Sequence, residues 1–268
     1  MSERQETDEG ARVKEPAEIA THESLPGEAG AGEVCSGEAA PPVPKGHPVR
    51  VGVIVPSPNT VLEPDAVGLV PIGVTAHFGR VGLGTVLSED LLEAMAGEVS
   101  LECRKLALAG VSAIGYGCTS GSFFKSEGFD RRMVEAMTRA SGGIPATTAT
   151  TAALAVLRER GVSRVAFLSP YEESFHRRGV AYFEREGFTV VSDACLGFLD
   201  EADIMAVTRD DLVDLVRRGG SDEAEAYFIS CTGLRSVTHL AYLEGITGRP
   251  VLSSNLTLVA HVVRLAGV

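Results

Sequence analysis

The chain has 268 residues, of which 44% are hydrophobic and 22% charged, and its formal net charge at pH 7 is −12. This length and composition predict a globular protein with one large or two small domains. The negative charge and the lack of a Lys/Arg-rich stripe exclude nucleic acid and anionic membranes as expected partners. We see neither a secretory signal nor an apolar run near the roughly 20 residues that span a bilayer, so we expect a cytoplasmic protein.

Residues 1–47 differ from the remainder of the chain. They hold ten acidic and four basic residues among many Gly, Pro and Ala. Such a segment buries too little apolar surface to offset the conformational entropy that ordering would cost. We therefore predict a disordered acidic leader.

The five cysteines, at positions 35, 103, 118, 195 and 231, form no CxxC pair and no metal-ligand spacing with the six histidines. This spacing argues against a zinc site or a disulfide framework. Cys103 lies on an apolar stripe with three- and four-residue steps, which predicts a buried helix face.

The hydrophobic patterns of residues 48–268 predict strands and helices that alternate along the chain. In chain order they are a strand at Arg50–Pro56, a helix at Ser88–Leu108, a strand at Val111–Gly117, a helix at Asp130–Ala140, a strand at Ile144–Thr147, a helix at Ala152–Arg160, a strand at Arg164–Pro170, a helix at Glu172–Glu186, a strand at Phe188–Ser192, a helix at Asp210–Arg218, a strand at Ala226–Ser230, a helix at Val237–Leu243, a strand at Pro250–Leu252 and a helix at Leu256–Leu265. Such alternation is typical of parallel sheets with helices on their faces.

Two features recur at nearly the same spacing. A strand that ends in proline occurs at Pro56 and Pro170, 114 residues apart, and a strand followed by cysteine occurs at Cys118 and Cys231, 113 apart. Internal repetition of this kind predicts a duplicated fold. We expect an α/β protein with two similar Rossmann-like lobes, related by a pseudo-two-fold axis, and an active site in the cleft between them. The predicted lobes are residues 48–149, with the C-terminal helix 255–268 packing back on them, and residues 150–254.

Ligands bind open α/β sheets at the carboxyl ends of the strands, which here carry hydroxyl and glycine residues beside the two thiols. A thiolate there is favoured by the dipole of the following helix, which predicts a pKa lowered toward neutral. Two opposed thiols suit proton transfer or addition to a double bond. The candidate catalytic residues are Cys118 and Cys231, and the candidate substrate-binding residues are Pro56, Asn59, Thr119, Ser120, Tyr171, Thr232 and Gly233.

Several motifs in order, "VGVIVPSPNTVLEP", "YGCTSGSF", "LSPY", "ISCTGLRS" and "RPVLSSNLTLVAHVVRLAGV", resemble the maleate isomerase and arylmalonate decarboxylase branch of the aspartate/glutamate racemase superfamily. The resemblance implies a cofactor-independent isomerase or racemase without metal. It implies that Cys118 attacks a double bond, that Cys231 handles a proton, and that Asn59 and Tyr171 hold a carboxylate. The implied partner is a small carboxylate such as maleate or an amino-acid derivative.

The sequence leaves alternatives open. Decarboxylases of this branch have glycine at the first cysteine position, so an arylmalonate-type decarboxylase with Cys231 as proton donor is one alternative. A non-catalytic two-lobed carboxylate-binding protein is another. A rough alignment places Glu201 where maleate isomerases carry a substrate-binding Asn, which favours a substrate amine over a second carboxylate. Arg235 could bind a carboxylate or a neighbouring loop. Asn255 could cap the last helix or line the cleft, and we expect the cap. The oligomeric state, including a homo-oligomer, stays open.

Overall fold

The structure is a computed structural model that describes residues 46, 48–82, 89–119, 121 and 128–268, with backbone alone for 89–96. The predicted leader lies outside the described residues except for Gly46, and Ser120 lies outside them too. The two lobes described below belong to one compact unit.

The described strands form two four-stranded parallel sheets. The first sheet has the order β2-β1-β3-β4 and the second the order β6-β5-β7-β8, so each strand of the first has a counterpart in the second. The predicted α/β fold with two similar lobes is therefore confirmed. The strands are β1 (Val49–Pro56), β2 (Val74–Val81), β3 (Ala113–Tyr116), β4 (Ala146–Thr148), β5 (Arg164–Tyr171), β6 (Thr189–Phe198), β7 (Ala226–Ile229) and β8 (Val251–Ser253).

Helices follow most of the strands and cover the sheets. A short 3₁₀ helix, Val237–His239, precedes the eighth helix. The α-helices are α1 (Leu62–Leu69), α2 (Glu89–Leu108), α3 (Phe129–Ala140), α4 (Ala149–Glu159), α5 (Glu173–Arg185), α6 (Glu201–Met205), α7 (Arg209–Arg218), α8 (Leu240–Thr247) and α9 (Ser254–Leu265).

The central strands β1, β3, β5 and β7 are apolar on both faces because helices cover both sides of each sheet. The core of the second lobe includes three aromatic rings packed at tilted angles, with the ring centroid of Phe183 lying 5.0 Å from that of Phe167 and 5.1 Å from that of Phe228. Cys103 is fully buried in the first lobe beside Ile54 and Ile114, as its helical stripe predicts.

Helices α4 and α9 connect the two cores. Helix α4 follows the last strand of the first lobe but places Leu154 and Leu157 in the core of the second. Helix α9 follows the last strand of the second lobe and places Leu258 and Val262 in the core of the first. The two helices also pack against each other, so each lobe is completed by a helix that follows the other lobe's sheet.

Within the described part of the chain, every helix is too short or too polar to cross a bilayer.

Candidate active site

Each of the two candidate cysteines follows a central strand by two residues. Cys118 comes after β3, which ends at Tyr116, and Cys231 comes after β7, which ends at Ile229. In the sheets, β3 pairs with β1 and β7 pairs with β5 in the same parallel arrangement. Both thiols therefore leave the carboxyl edge of a sheet, where parallel α/β folds place their ligands.

The Cys118 thiol is buried, with 4% of its surface exposed. Its side chain is hydrogen-bonded to the hydroxyl of Tyr116, and burial, followed by the nearby Cys118 sulfur, raises the pKa of Tyr116 well above its usual value. Tyr116 was not among the predicted site residues. Its spacing could have revealed it, since residues i and i+2 of an extended segment point to the same side.

The Cys231 sulfur receives hydrogen bonds from the Tyr171 hydroxyl and from the backbone N–H of Gly233. Both donors favour the thiolate, but burial outweighs them and raises the pKa of Cys231 to about 11. The expected lowering of the thiol pKa by a helix dipole is thus wrong for Cys231, because desolvation is the larger effect. At neutral pH this side chain is a protonated thiol.

Tyr171 brings the two lobes' thiols into one site. Burial raises the pKa of its hydroxyl well above the usual value, and both Cys231 and Cys118 raise it further. Since such influence falls off with distance, both sulfurs lie near the same phenol. Tyr171 itself is held by an edge-to-face contact with Phe175, with ring centroids 4.9 Å apart.

A buried hydrogen-bond chain joins the strand-end loops of the two lobes. The Asn59 amide nitrogen donates to the Thr232 hydroxyl at 3.1 Å, and that hydroxyl donates to the carbonyl oxygen of Gly117 at 2.8 Å. Asn59 is fixed from the other side, since its backbone N–H donates to the Pro56 carbonyl at 2.9 Å and its side-chain oxygen accepts the backbone N–H of Leu62 at 3.0 Å. The chain therefore fixes the spacing between the loops that carry Cys118 and Cys231.

Ser254, the first residue of α9, forms a second connection. Its hydroxyl accepts the backbone N–H of Cys231 at 3.1 Å and lies 3.5 Å from the donating hydroxyl of Thr119. The predicted residues Thr119 and Cys231 thus meet at one serine of the last helix. Ser254 was missed, because the "SSN" motif gave no sign of which hydroxyl would face the thiols.

Asn255 does not cap the last helix as expected. Ser253 does so by accepting the N–H of Leu256, while the Asn255 amide donates to Asp65 at 2.7 Å and to the Thr232 carbonyl at 3.1 Å. Burial raises the pKa of Asp65, partly opposed by the Asn255 bond and by the charge of Arg235. Asp65 was also missed, since a single acid in a helix carries no distinguishing pattern.

The sequence profile of the arylmalonate decarboxylase family matches residues 51–268, which is most of the chain and nearly all of both lobes. The chain belongs to this family. A decarboxylase relative agrees with this assignment: the arylmalonate decarboxylase of Bordetella bronchiseptica is 31% identical over 81% of this chain and 90% of its own length.

Isomerases are also similar to this member of the arylmalonate decarboxylase family. The maleate isomerase of Nocardia farcinica is 28% identical over 76% of this chain and 85% of its own length. The crystal structure of a maleate isomerase variant from Pseudomonas putida S16 with maleate superimposes with a TM-score of 0.73 at 25% identity, covering 78% of this chain and 88% of that one. The comparisons thus include both a decarboxylase and isomerases.

In this family member, helix α6 lies beside the Cys231 loop. A side-chain carbon on Gly233 would stand 4.0 Å from Ile204, and the Thr60 hydroxyl contacts the Met205 sulfur at 3.5 Å. Glu201, at the start of α6, is close enough for its charge to raise the pKa of Cys231. Helix α6 therefore reaches from the second lobe to the loop after β1.

A separate polar chain lies behind Tyr171. His176 is fully buried, with one ring nitrogen 2.8 Å from the Ser169 hydroxyl and the other 3.0 Å from Asp193. Although the residue types resemble a hydrolase triad, Ser169 is also fully buried, so no substrate reaches it. The buried His176 ring holds α5 against β5 and β6. Among the described residues no three His, Cys, Asp or Glu side chains cluster as metal ligands would.

Proposed function

We propose that this protein is a cofactor-independent isomerase or racemase that acts on a small carboxylate with Cys118 and Cys231. The observation that carries the proposal is the position of Tyr171, whose hydroxyl is influenced by both sulfurs. Thiols from two lobes that share one phenol are placed to act on one bound molecule. The two cysteines occupy equivalent positions in the two halves of the sequence. This supports a mechanism in which each thiol reacts with one face of the substrate.

The protonation of Cys231 determines the role that we assign to it. Cys231, with a pKa of about 11, holds its proton at neutral pH and suits the role of proton donor. In the proposed isomerisation the Cys118 thiolate adds to one carbon of a C=C bond, and the π electrons move toward the adjacent carboxylate. The other carbon then takes the proton of Cys231. Rotation about the new single bond follows, Cys231 takes a proton back, and the C–S bond breaks.

This sequence of steps balances without an oxidant or a reductant. The negative charge that develops on the carboxylate needs hydrogen-bond donors, and the Asn59 amide has a second N–H besides the one given to Thr232. Thr119 and the backbone N–H of Gly233 lie in the same loops as the thiols. A racemase would use the same groups, with one thiolate removing a proton and the opposite thiol returning another.

Solvent-deuterium incorporation tests the proposal without requiring the product to be known. The wild-type protein should introduce deuterium at carbon into at least one of maleate, aspartate, glutamate or an acylated diamino acid. Cys118→Ala and Cys231→Ala should each lower the rate by about 10²–10⁴-fold, the usual contribution of a positioned acid or base. Cys195→Ala is the matched control and should retain the rate, since Cys195 lies on the edge strand β6 and its thiol bonds to Glu173. Retention of full exchange by both site variants would contradict the proposal.

A decarboxylase of disubstituted malonates is the second candidate. The family profile and the 31% identical decarboxylase favour it, and a protonated Cys231 suits the proton delivery that follows loss of carbon dioxide. Carbon dioxide release that survives Cys118→Ala but not Cys231→Ala would favour this reaction over the two-thiol one. Ligand binding without exchange or carbon dioxide release would favour a binding protein.

A further inference from the structure

Helix α6 presents a carboxylate to the end of the site that holds Cys231. Glu201 and Ile204 are three residues apart and therefore share one face of the helix. Ile204 is buried and faces Gly233, within the turn that carries the Cys231 sulfur. Glu201 as a whole is exposed, but its carboxylate is partly enclosed and near enough for its charge to act on the Cys231 thiol, so a ligand at that thiol would experience the same charge.

The other polar groups of α6 do not neutralise this carboxylate. Asp200 accepts the N–H of Ala202 as the helix cap and adds a second negative charge beside Glu201. The positive charge of Arg235 acts to lower the pKa of Asp65 in the first lobe. Burial, together with Asp200, raises the pKa of Glu201, which means that a positive group beside it would be favoured.

We propose that Glu201 makes the site selective for a carboxylate that also carries a protonated amine, with the ammonium group facing α6. The inference rests on the proposed two-thiol reaction at the same site and names its substrate class. The carboxylate of such a substrate lies toward the donors Asn59 and Thr119, and its reacting carbon lies between the sulfurs. A second carboxylate at the α6 end would meet a like charge, whereas an ammonium group pairs with Glu201.

Two saturated ligands of matched length distinguish a preference for an ammonium group from a preference for a second carboxylate at the α6 end. 3-Aminopropanoate and succinate share a carboxylate and a two-carbon backbone and differ in having an ammonium or a second carboxylate at the other end. Equilibrium titration of the full-length protein at neutral pH should show about ten-fold tighter binding of 3-aminopropanoate, because an attraction replaces a repulsion at a partly exposed position. Glu201→Gln should abolish or reverse that preference.

Asp203→Asn is the matched control, since it removes a carboxylate from the same short helix and should keep the preference of the wild type. Tighter binding of succinate by the wild type, an unchanged ratio in Glu201→Gln, or failure of both ligands to bind would each overturn the inference.

The binding titration gives a result whether or not the protein turns over a substrate. If no substrate exchanges deuterium but Glu201→Gln still shifts the binding ratio, then the proposed reaction fails and the charge selection stands. If maleate exchanges well and the ratio does not depend on Glu201, then the reaction stands and the inferred substrate class is wrong.

Discussion

Cys231 has the most unusual backbone among the described residues. Its φ of +107° is the one positive value at a described non-glycine residue, in a region that L-amino acids rarely adopt. Such strain persists only where surrounding contacts determine the conformation, and here Ser254 holds the N–H while Tyr171 and Gly233 hold the sulfur. Cys118 has no such strain, so the two thiols, although duplicated in sequence, are not equivalent in structure.

The raised pKa of Cys231 predicts slow alkylation with a distinctive pH dependence. Only the thiolate reacts, so with a pKa of about 11 the rate should rise about ten-fold per pH unit from pH 7 and still be rising at pH 10. An unperturbed thiol levels off near pH 9. Peptide mapping by mass spectrometry after iodoacetamide treatment would follow Cys231 alone, and a plateau by pH 9 would contradict the assigned protonation.

Removal of the Tyr171 hydroxyl tests the assigned pKa of Cys231 in a second way. The hydrogen bond of this hydroxyl lowers the pKa of Cys231, so Tyr171→Phe should raise that pKa further and slow alkylation at pH 8–10. Tyr182→Phe is the matched control, because the Tyr182 hydroxyl donates to Asp130 at 2.8 Å instead. Equal slowing in both variants would show that the effect is not local to the thiol.

The sequence predicts the candidate thiols and only some of their partners. The duplicated Cys-Thr motif indicated Cys118 and Cys231, and resemblance indicated Tyr171. Tyr116 was missed although it lies only two residues before Cys118. Asp65 and Ser254 were missed because each reaches the site from a helix whose approach depends on the packing of whole lobes. The sign of the Cys231 pKa shift also required the structure, since desolvation depends on burial and not on the neighbouring residues in sequence.

Among the elements, strand β3 is packed unusually closely by two helices. A side-chain carbon on Gly115 would lie 2.6 Å from Val262 of α9, and one on Gly117 would lie 2.1 Å from Leu62 of α1. Glycine at these positions lets both helices approach the strand that leads to Cys118. The position of the Cys118 thiol therefore depends on having glycine, which has no side chain, at positions 115 and 117.

Gly115→Ala should destabilise the protein by about 1–3 kcal/mol, the usual cost of added volume in a packed core. Its new methyl group would overlap Val262 and Leu258. Chemical denaturation measures the change in free energy of unfolding. Gly245→Ala in α8 is the control, since it meets no atom within 4 Å and should stabilise the helix by about 0.5–1 kcal/mol. An unchanged denaturation midpoint for Gly115→Ala would show that α9 can move away without cost.

Most elements with strong periodicity were predicted within a few residues, but strand β6 runs six residues past the predicted Phe188–Ser192, to Phe198. Three weaker elements were missed. Helix α1, strand β2 and helix α6 lack a long apolar pattern, and β2 is an edge strand with a mixed burial pattern. The repeat itself could have located β2. Shifting the predicted strand Phe188–Ser192 back by 114 residues gives 74–78, which lies within Val74–Val81. The five residues of helix α6 fall below what periodicity resolves.

At the scale of the whole molecule, the lobes are linked by exchanged helices. Helix α4 contributes Leu154 and Leu157 to the second core, and α9 contributes Leu258 and Val262 to the first. Neither core is complete without a helix that follows the other sheet. The inter-lobe hydrogen bonds from Thr232 to Asn59 and Gly117 join the same two halves at the candidate site. The stability of the lobes and the geometry of the site therefore depend on the same interface.

This exchange predicts that the two lobes unfold together. Calorimetry should show one transition whose calorimetric and van't Hoff enthalpies agree. Leu258→Ala, at a fully buried position, should destabilise the protein by about 2–5 kcal/mol. Hydrogen exchange should then show equal loss of protection in β1 and in β5, although Leu258 touches only the first core. Leu199→Ala, at an exposed position, should change stability by less than about 0.5 kcal/mol. Two separate transitions, or loss of protection confined to β1, would mean that each lobe folds on its own and that α9 only rests against the first.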